Sequence, residues 1–345
     1  DAVLNLVVDV TSGLVVHPAI VRANMRDELP FMATENVLMR ATAAGHSRQE
    51  AHEAIRKASL AAVATMKTGA ANDLVARMKP APKRRRVKRP VDLVTAIGPS
   101  LAGTNVIMQL AIVNPARVAS LVLINPGSPR GFGGTRGNDG EPCNPDFAGS
   151  GGGTANPLFV ERLVAKDRSA AEPFSPRNVM NAFYWKPPFR PEPAREDAFV
   201  DAMLETATGE GGYPGDMTTS PHWPGVAPGK TGMNNALSPK YLDQRALAKI
   251  EPKPPILWLR GSDDQIVSDR SMFDFGVLGE LGLVPGWPGA EVYPAQPMVA
   301  QTRTLLEQYT AGGGVHREVV FEGTGHGPHI EKHDEFMALV KELWT

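Results

Sequence analysis

The sequence predicts an α/β chain, with a partial parallel sheet interrupted by a helical insertion and preceded by a small all-α segment. Three observations predict this. Short apolar runs rich in branched residues recur at 91–97, 118–125, 255–260 and 317–321, with the length and composition of buried strands. Stretches of helical apolar spacing separate them, at 101–111, 299–310 and 334–344. Residues 1–78 have another texture, with Ala33 to Lys67 rich in Ala, Met, Glu and Arg and three or so helices expected.

Composition sets the outer bounds. The 345 residues suffice for one large domain or two ordinary ones, and 42% hydrophobic against 21% charged residues is a globular balance. A net charge of −1 excludes a general role on nucleic acid or at a membrane surface, so the expected partner is a small-molecule substrate. The single cysteine, Cys143, rules out an internal disulfide and fits a reducing compartment. The opening DAVLNLVVDV is too short and too acidic for a signal peptide or a spanning helix, so a cytoplasmic location is expected. No metal or cofactor is expected.

In the first segment, Ala33 to Lys67 has helical spacing punctuated by Gly45. Four strings stand out there: Thr11 to Pro18 (TSGLVVHP), Glu28 to Asn36 (ELPFMATEN), Ser47 to Glu53 (SRQEAHE) and Asn72 to Leu74 (NDL). On these the segment 1–78 resembles the C-terminal helical region of adenylosuccinate lyase, of purine biosynthesis. That family's catalytic serine loop and long core helices precede this region and have no counterpart here. His17, His46 and His52 are therefore expected on surfaces or in helix packing, not as lyase catalysts.

Lys79 to Pro90 (KPAPKRRRVKRP) is basic and bounded by prolines, which marks a solvated linker and a domain boundary. A nuclear-import patch is the other reading of such a cluster, but no interleaved aromatics offer a base-stacking surface.

Beyond the linker, the run Val91, Leu93, Val94, Ile97 stops at Gly98-Pro99-Ser100 and a helix follows. Strand, sharp turn and helix form the layout of a nucleophile elbow, in which small residues flank a serine at the strand's carboxyl end. Gly98 and Gly103 supply the room, and Ala102 stands where the motif has glycine. A helix-capping serine is the bland alternative. Two further strand ends open into polar loops. Pro255 to Arg260 leads to Gly261-Ser262-Asp263-Asp264, and Arg317 to Phe321 leads to Glu322-Gly323-Thr324-Gly325-His326. Ser, Asp and His in that order, each just after a strand, is the sequence order of an acyl-transfer triad. The carboxylates could otherwise form an Asx turn, and the histidine sit exposed on its loop.

On these residues the chain from about Val91 to Trp344 resembles the α/β-hydrolase family. The resemblance implies Ser100 as nucleophile, His326 as base and Asp264 as acid, because the family's G-x-x-D-x-x-V loop fits Gly261, Asp264 and Val267. It implies that the amide of Leu101 donates to the oxyanion. It implies that the insertion of about 130 residues between 125 and 255, rich in Gly, Pro and aromatics, is a cap at about 127–250. Short helices are expected there at 156–166, 176–185 and 195–206. Phe183, Tyr184, Trp185, Phe189 and Trp223 are candidates to line the substrate site or to form the cap's own core. Gly149 to Thr154 (GSGGGT) is expected to be too flexible for regular structure, and lacks the strand-to-helix frame and lysine of a phosphate loop.

The family's first strands, and its second oxyanion donor, normally precede the elbow. Asp1 to Val10 is the only candidate for a replacement strand, and an open apolar edge beside the elbow strand, or the lyase-like helices, would favour self-association. Three readings follow from the sequence. They are a serine hydrolase of a small ester, lactone or related carbonyl substrate, a non-catalytic fusion or truncated hydrolase relative, and a chain classed by its first segment as lyase-like.

Overall fold

The computed structural model describes residues 47–68, 74 and 93–342. They divide into two units, the first holding helix α1 (Arg48–Met66) and the second running over 93–342. On α1 the less exposed positions Ala51, Ile55, Ser59, Ala62 and Met66 recur every three to four residues, the stripe of an amphipathic helix. His52 is exposed on α1. The other expected helices of the first segment, the strand proposed at Asp1 to Val10, His17, His46 and the basic linker lie outside the described residues.

In the second unit four parallel strands form one sheet: β1 (Val94–Pro99), β2 (Val118–Ile124), β3 (Ile256–Gly261) and β4 (His316–Phe321). Their spatial order equals their chain order. Pairing aligns Pro99 with Ile124, Ile124 with Leu259, and Gly261 with Phe321. Every strand therefore ends at the same rim, and the loops that follow share one edge of the sheet.

The strands are nearly continuous apolar runs because both faces of the sheet are covered. Leu121, Leu123, Ile256 and Trp258 face Ile107, Met108 and Ala111 of α2 (Ser100–Val113), together with Leu305, Leu306 and Tyr309 of a later helix, Met298–Ala311. Val122, Ile124, Leu257, Leu259 and Phe321 point the other way, toward Phe336 and Leu339 of the closing helix, His333–Glu342. β1 is less covered: Val94 and Ile97 are each 40% exposed, and Leu93 just before it 59%.

The inserted segment holds α3 (Pro157–Val164), α4 (Pro176–Phe183) and α5 (Pro193–Leu204), each begun by a proline whose fixed φ suits a first helical residue. Asn156 and Ser175 accept from the amides of Leu158 and Asn178, capping α3 and α4. Leu163, Met180, Trp185, Val200 and Leu204 form the core of the segment.

The glycine-rich stretch departs from expectation. Gly152–Thr154 is a regular 3₁₀ turn, and Ala148 to Gly152 are buried rather than loose. The cause is side-chain pairing of its backbone. Asn235 Oδ1 accepts from the Gly152 amide at 3.0 Å, and the Ser150 and Ser238 hydroxyls meet at 2.8 Å.

Candidate active site

Ser100 stands where β1 turns into α2, with φ of +59°. A side chain rarely adopts that left-handed backbone, and it does so here because strand and helix cross in backbone contact. A methyl on Gly98 would lie 2.4 Å from the Gly103 carbonyl oxygen, so only hydrogen fits. The turn lifts the Ser100 hydroxyl off the strand end. It also leaves the Leu101 amide in the first helical turn, where N–H groups have no intrahelical acceptor.

His326 follows β4 on the loop Glu322 to Gly327. Its Nε2 lies 2.7 Å from Ser100 Oγ, and its Nδ1 2.8 Å from Asp264 Oδ2. The His326 and Asp264 side chains are only 3% and 2% exposed. Asp264 Oδ1 accepts from the amides of Ile266 at 2.8 Å and Val267 at 3.0 Å. One oxygen thus makes the Asx turn that a loop aspartate favours, and the other faces the imidazole. Asp263 serves elsewhere: it pairs with Lys186 Nζ and accepts from Ser262 Oγ, and the ammonium holds its carboxyl below the usual range.

Asn125, immediately after β2, was not singled out from the sequence. Its Nδ2 lies 2.5 Å from Asp264 Oδ2, and its Oδ1 accepts from the Gly261 amide at 3.2 Å. The signal was positional, a polar residue at the carboxyl end of an apolar core strand, like the other site residues.

The inserted segment closes over His326. The Gly327 amide donates to the Tyr184 carbonyl at 3.1 Å, and a methyl on Gly327 would strike the Trp185 ring at 2.3 Å. Glu331 fastens this contact, with Oε1 accepting from the Gly325 amide at 2.8 Å and Oε2 from the Lys186 amide at 2.9 Å. Tyr184 meets the His326 imidazole edge-on, centroids 5.6 Å apart, and burial pushes its hydroxyl up to about 12, so it stays protonated. Burial also pushes His329 down to about 4, with His326 adding to the effect, so it is neutral at pH 7.

The five aromatic candidates separate. Phe183 and Tyr184 pack with Leu101, Phe132 and Phe273 around Ile266, Val267 and Met298, beside the Ser–His–Asp cluster. Trp185 instead belongs to the core of the inserted segment, because Phe189 and Phe199 enclose its ring. Trp223 stacks edge-on with Phe275 and Tyr293 and donates to the Pro285 carbonyl at 2.9 Å. It is thus held by the 275–293 region. Among the described residues no three His, Cys, Asp or Glu side chains converge as metal ligands, and no helix is long and apolar enough to cross a membrane.

Comparison with known proteins gives different answers for the two parts. Residues 30–110 match the family model "Adenylosuccinate lyase C-terminus", a span that crosses the basic linker and ends within α2. The chain is 46% identical over 83 residues to adenylosuccinate lyase of Schizosaccharomyces pombe, covering 24% of this chain and 17% of that enzyme. It is 45% identical over 80 residues to the Saccharomyces cerevisiae enzyme, covering 23% and 17%. The chain therefore spans about one sixth of the length of these curated relatives.

Among solved structures, an esterase from Exiguobacterium antarcticum is similar at 16% identity and a TM-score of 0.39, over 72% of this chain and 66% of that one. A serine hydrolase from Cycloclasticus zankles gives 15% and 0.37, over 74% and 64%. Est816, described as an N-acyl homoserine lactone degrading enzyme, gives 16% and 0.35, over 73% and 68%. Likeness at this level assigns neither activity nor substrate.

Proposed function

We propose that the chain is a serine hydrolase that cleaves a small ester, lactone or related carbonyl compound through an acyl-enzyme. The observation that carries this reading is Ser100, held at φ +59° with its hydroxyl 2.7 Å from His326 Nε2. In this reading His326 takes the Ser100 proton as the oxygen attacks the carbonyl carbon, then gives it to the leaving group. Asp264 holds the imidazole by Nδ1 and stabilises its protonated form. Leu101 donates its amide to the oxyanion. Water, activated by the same imidazole, then cleaves the acyl-enzyme and frees the serine. The inserted segment acts as a cap, with Phe183 and Tyr184 beside the acyl group, whereas Trp185 and Trp223 stabilise the cap and its surroundings.

A second reading, a non-catalytic hydrolase-like half that associates with itself, draws on the exposure of Leu93, Val94 and Ile97 along β1. The likeness to the lyases covers 17% of their length and does not carry a lyase reading. One experiment separates these readings: a fluorophosphonate probe applied to wild type and Ser100→Ala, with monodispersity measured on the same samples. Labelling of wild type alone supports the hydrolase. A soluble, monodisperse and unlabelled wild type refutes it, and fumarate release from adenylosuccinate would restore the lyase reading.

A further inference from the structure

We infer that Asn125 is a positioning residue that fixes the Asp264 carboxylate against His326. This rests on the hydrolase reading for its consequence in catalysis, but the inference concerns the Asp264–His326 couple itself. Asn125 is 1% exposed and adopts φ of +47°, a left-handed backbone that asparagine tolerates better than most residues. Its backbone amide donates to the carbonyl of Leu259 in β3 at 2.8 Å, so the residue is fastened to the sheet rim before its side chain is considered.

The side chain then bridges three loops. Nδ2 donates to Asp264 Oδ2 at 2.5 Å and stands 3.4 Å from the Gly325 carbonyl and 3.5 Å from His326 Nδ1. Oδ1 accepts from the Gly261 amide at 3.2 Å. Asp264 consequently receives four donors. Two backbone amides hold Oδ1, while Asn125 and His326 share Oδ2.

A carboxylate can turn about its own bond, and the two backbone amides grip only one oxygen. Asn125 grips the other beside the imidazole, its Nδ2 3.5 Å from His326 Nδ1. It therefore limits where Oδ2 can lie relative to Nδ1, and so the direction in which His326 presents Nε2 to Ser100. A displacement of about 1 Å in such an arrangement can cost on the order of 100-fold in rate. The side chain also carries no charge of its own, so it orients the couple without adding a second anion beside the imidazole.

Two variants of the full chain test this. Asn125→Gly keeps the left-handed backbone accessible and removes the side chain. Its kcat on p-nitrophenyl acetate should fall on the order of 10- to 100-fold with KM within about threefold, as for a loss of alignment rather than of binding. The downfield N–H proton resonance of His326 Nδ1 should disappear, while Ser100→Ala retains it. Asn125→Asp keeps the shape and the acceptor for Gly261 but places a carboxylate against Oδ2. Crowded against Oδ2, that group competes with the imidazole for the same oxygen, so the downfield resonance should be lost or shifted in this variant as well.

A merely structural asparagine would lower Tm in Asn125→Gly while the resonance and the kcat per folded molecule stayed as in wild type. That result, or a resonance in Asn125→Asp unchanged from wild type, overturns the inference. The NMR readouts need no turnover, so a chain that hydrolyses nothing still decides the question, and failure of the hydrolase reading is seen separately in the absence of fluorophosphonate labelling.

Discussion

The backbone at Ser100 should reveal itself as stored strain. Both Ser100→Ala and Ser100→Gly remove the hydroxyl that meets His326 at 2.7 Å, so they differ only in what the backbone at φ +59° tolerates. A left-handed conformation costs a residue with a side chain about 1–2 kcal/mol, and glycine almost nothing. Against this, glycine loses roughly 0.5–1 kcal/mol more on folding through its freer unfolded chain. Taken at the middle of both ranges, Ser100→Gly is about 0.75 kcal/mol more stable than Ser100→Ala. In a unit the size of 93–342 that corresponds to about 1–4 °C in Tm. Thermal unfolding followed by near-UV circular dichroism, with denaturant unfolding as the second measurement, resolves such a difference. Both variants should be inert to fluorophosphonate. If Ser100→Gly were no more stable than Ser100→Ala, the elbow would not be strained, and the positioning of the hydroxyl would need another explanation.

Three more outcomes follow from named contacts. Gly98→Ala places a methyl 2.4 Å from the Gly103 carbonyl oxygen and 2.9 Å from the Thr104 nitrogen, so β1 and α2 must separate; a loss of about 1–3 kcal/mol or more, with loss of labelling, is expected in denaturant unfolding and probe assays. Glu331→Ala strips the acceptor from the Gly325 and Lys186 amides; stability should fall by about 1–3 kcal/mol, and hydrogen exchange at Gly325 should rise. Burial pushes the Asp274 carboxyl up from 3.8 to about 6, so the folded state holds its proton more tightly than the unfolded chain. Its contribution is fully present below about pH 4 and is lost as pH rises through about 6, a change of roughly 3 kcal/mol. Asp274→Asn should remove that component, seen as a flatter dependence of unfolding free energy on pH between 4 and 6 than in wild type.

The α/β architecture was legible because the strands are bounded by chemistry that ends them. Pro115 precedes β2, Pro254 and Pro255 precede β3, and glycine lies in or just after β1, β3 and β4. The helices of the inserted segment were legible to within a few residues for the same reason, since Asn156-Pro157 and Ser175-Pro176 combine a cap with a fixed first φ. The order Ser100, Asp264, His326 was readable as three loops after three strands, and the folded chain brings these residues together. What escaped depends on contacts between distant residues. No local pattern says that Asn235 will pair the Gly152 amide 83 residues before it, or that Ser238 will meet Ser150, so GSGGGT reads as loose. Trp185 and Tyr184 are neighbours in sequence, yet one ring is enclosed by Phe189 and Phe199 and the other meets His326. Aromatic composition gives no sign of that division. Asn125 reads as the last residue of a strand, and its bonds to Asp264 and Gly261 appear only when residues about 140 positions apart meet at the rim.

The agreement between spatial and chain order in the sheet has a consequence for synthesis. Chains emerge amino end first, and β1 to β4 can each join an edge that is already in place. Under that sequence of events Ser100 is set at its elbow early, Asp264 only after the inserted segment has been made, and His326 last, on the loop beyond the final strand. Under the proposed function, Ser100 would stay a plain alcohol until the chain has grown past residue 326, because the base that makes it a nucleophile does not yet exist, and a product stopped before that point would lack it.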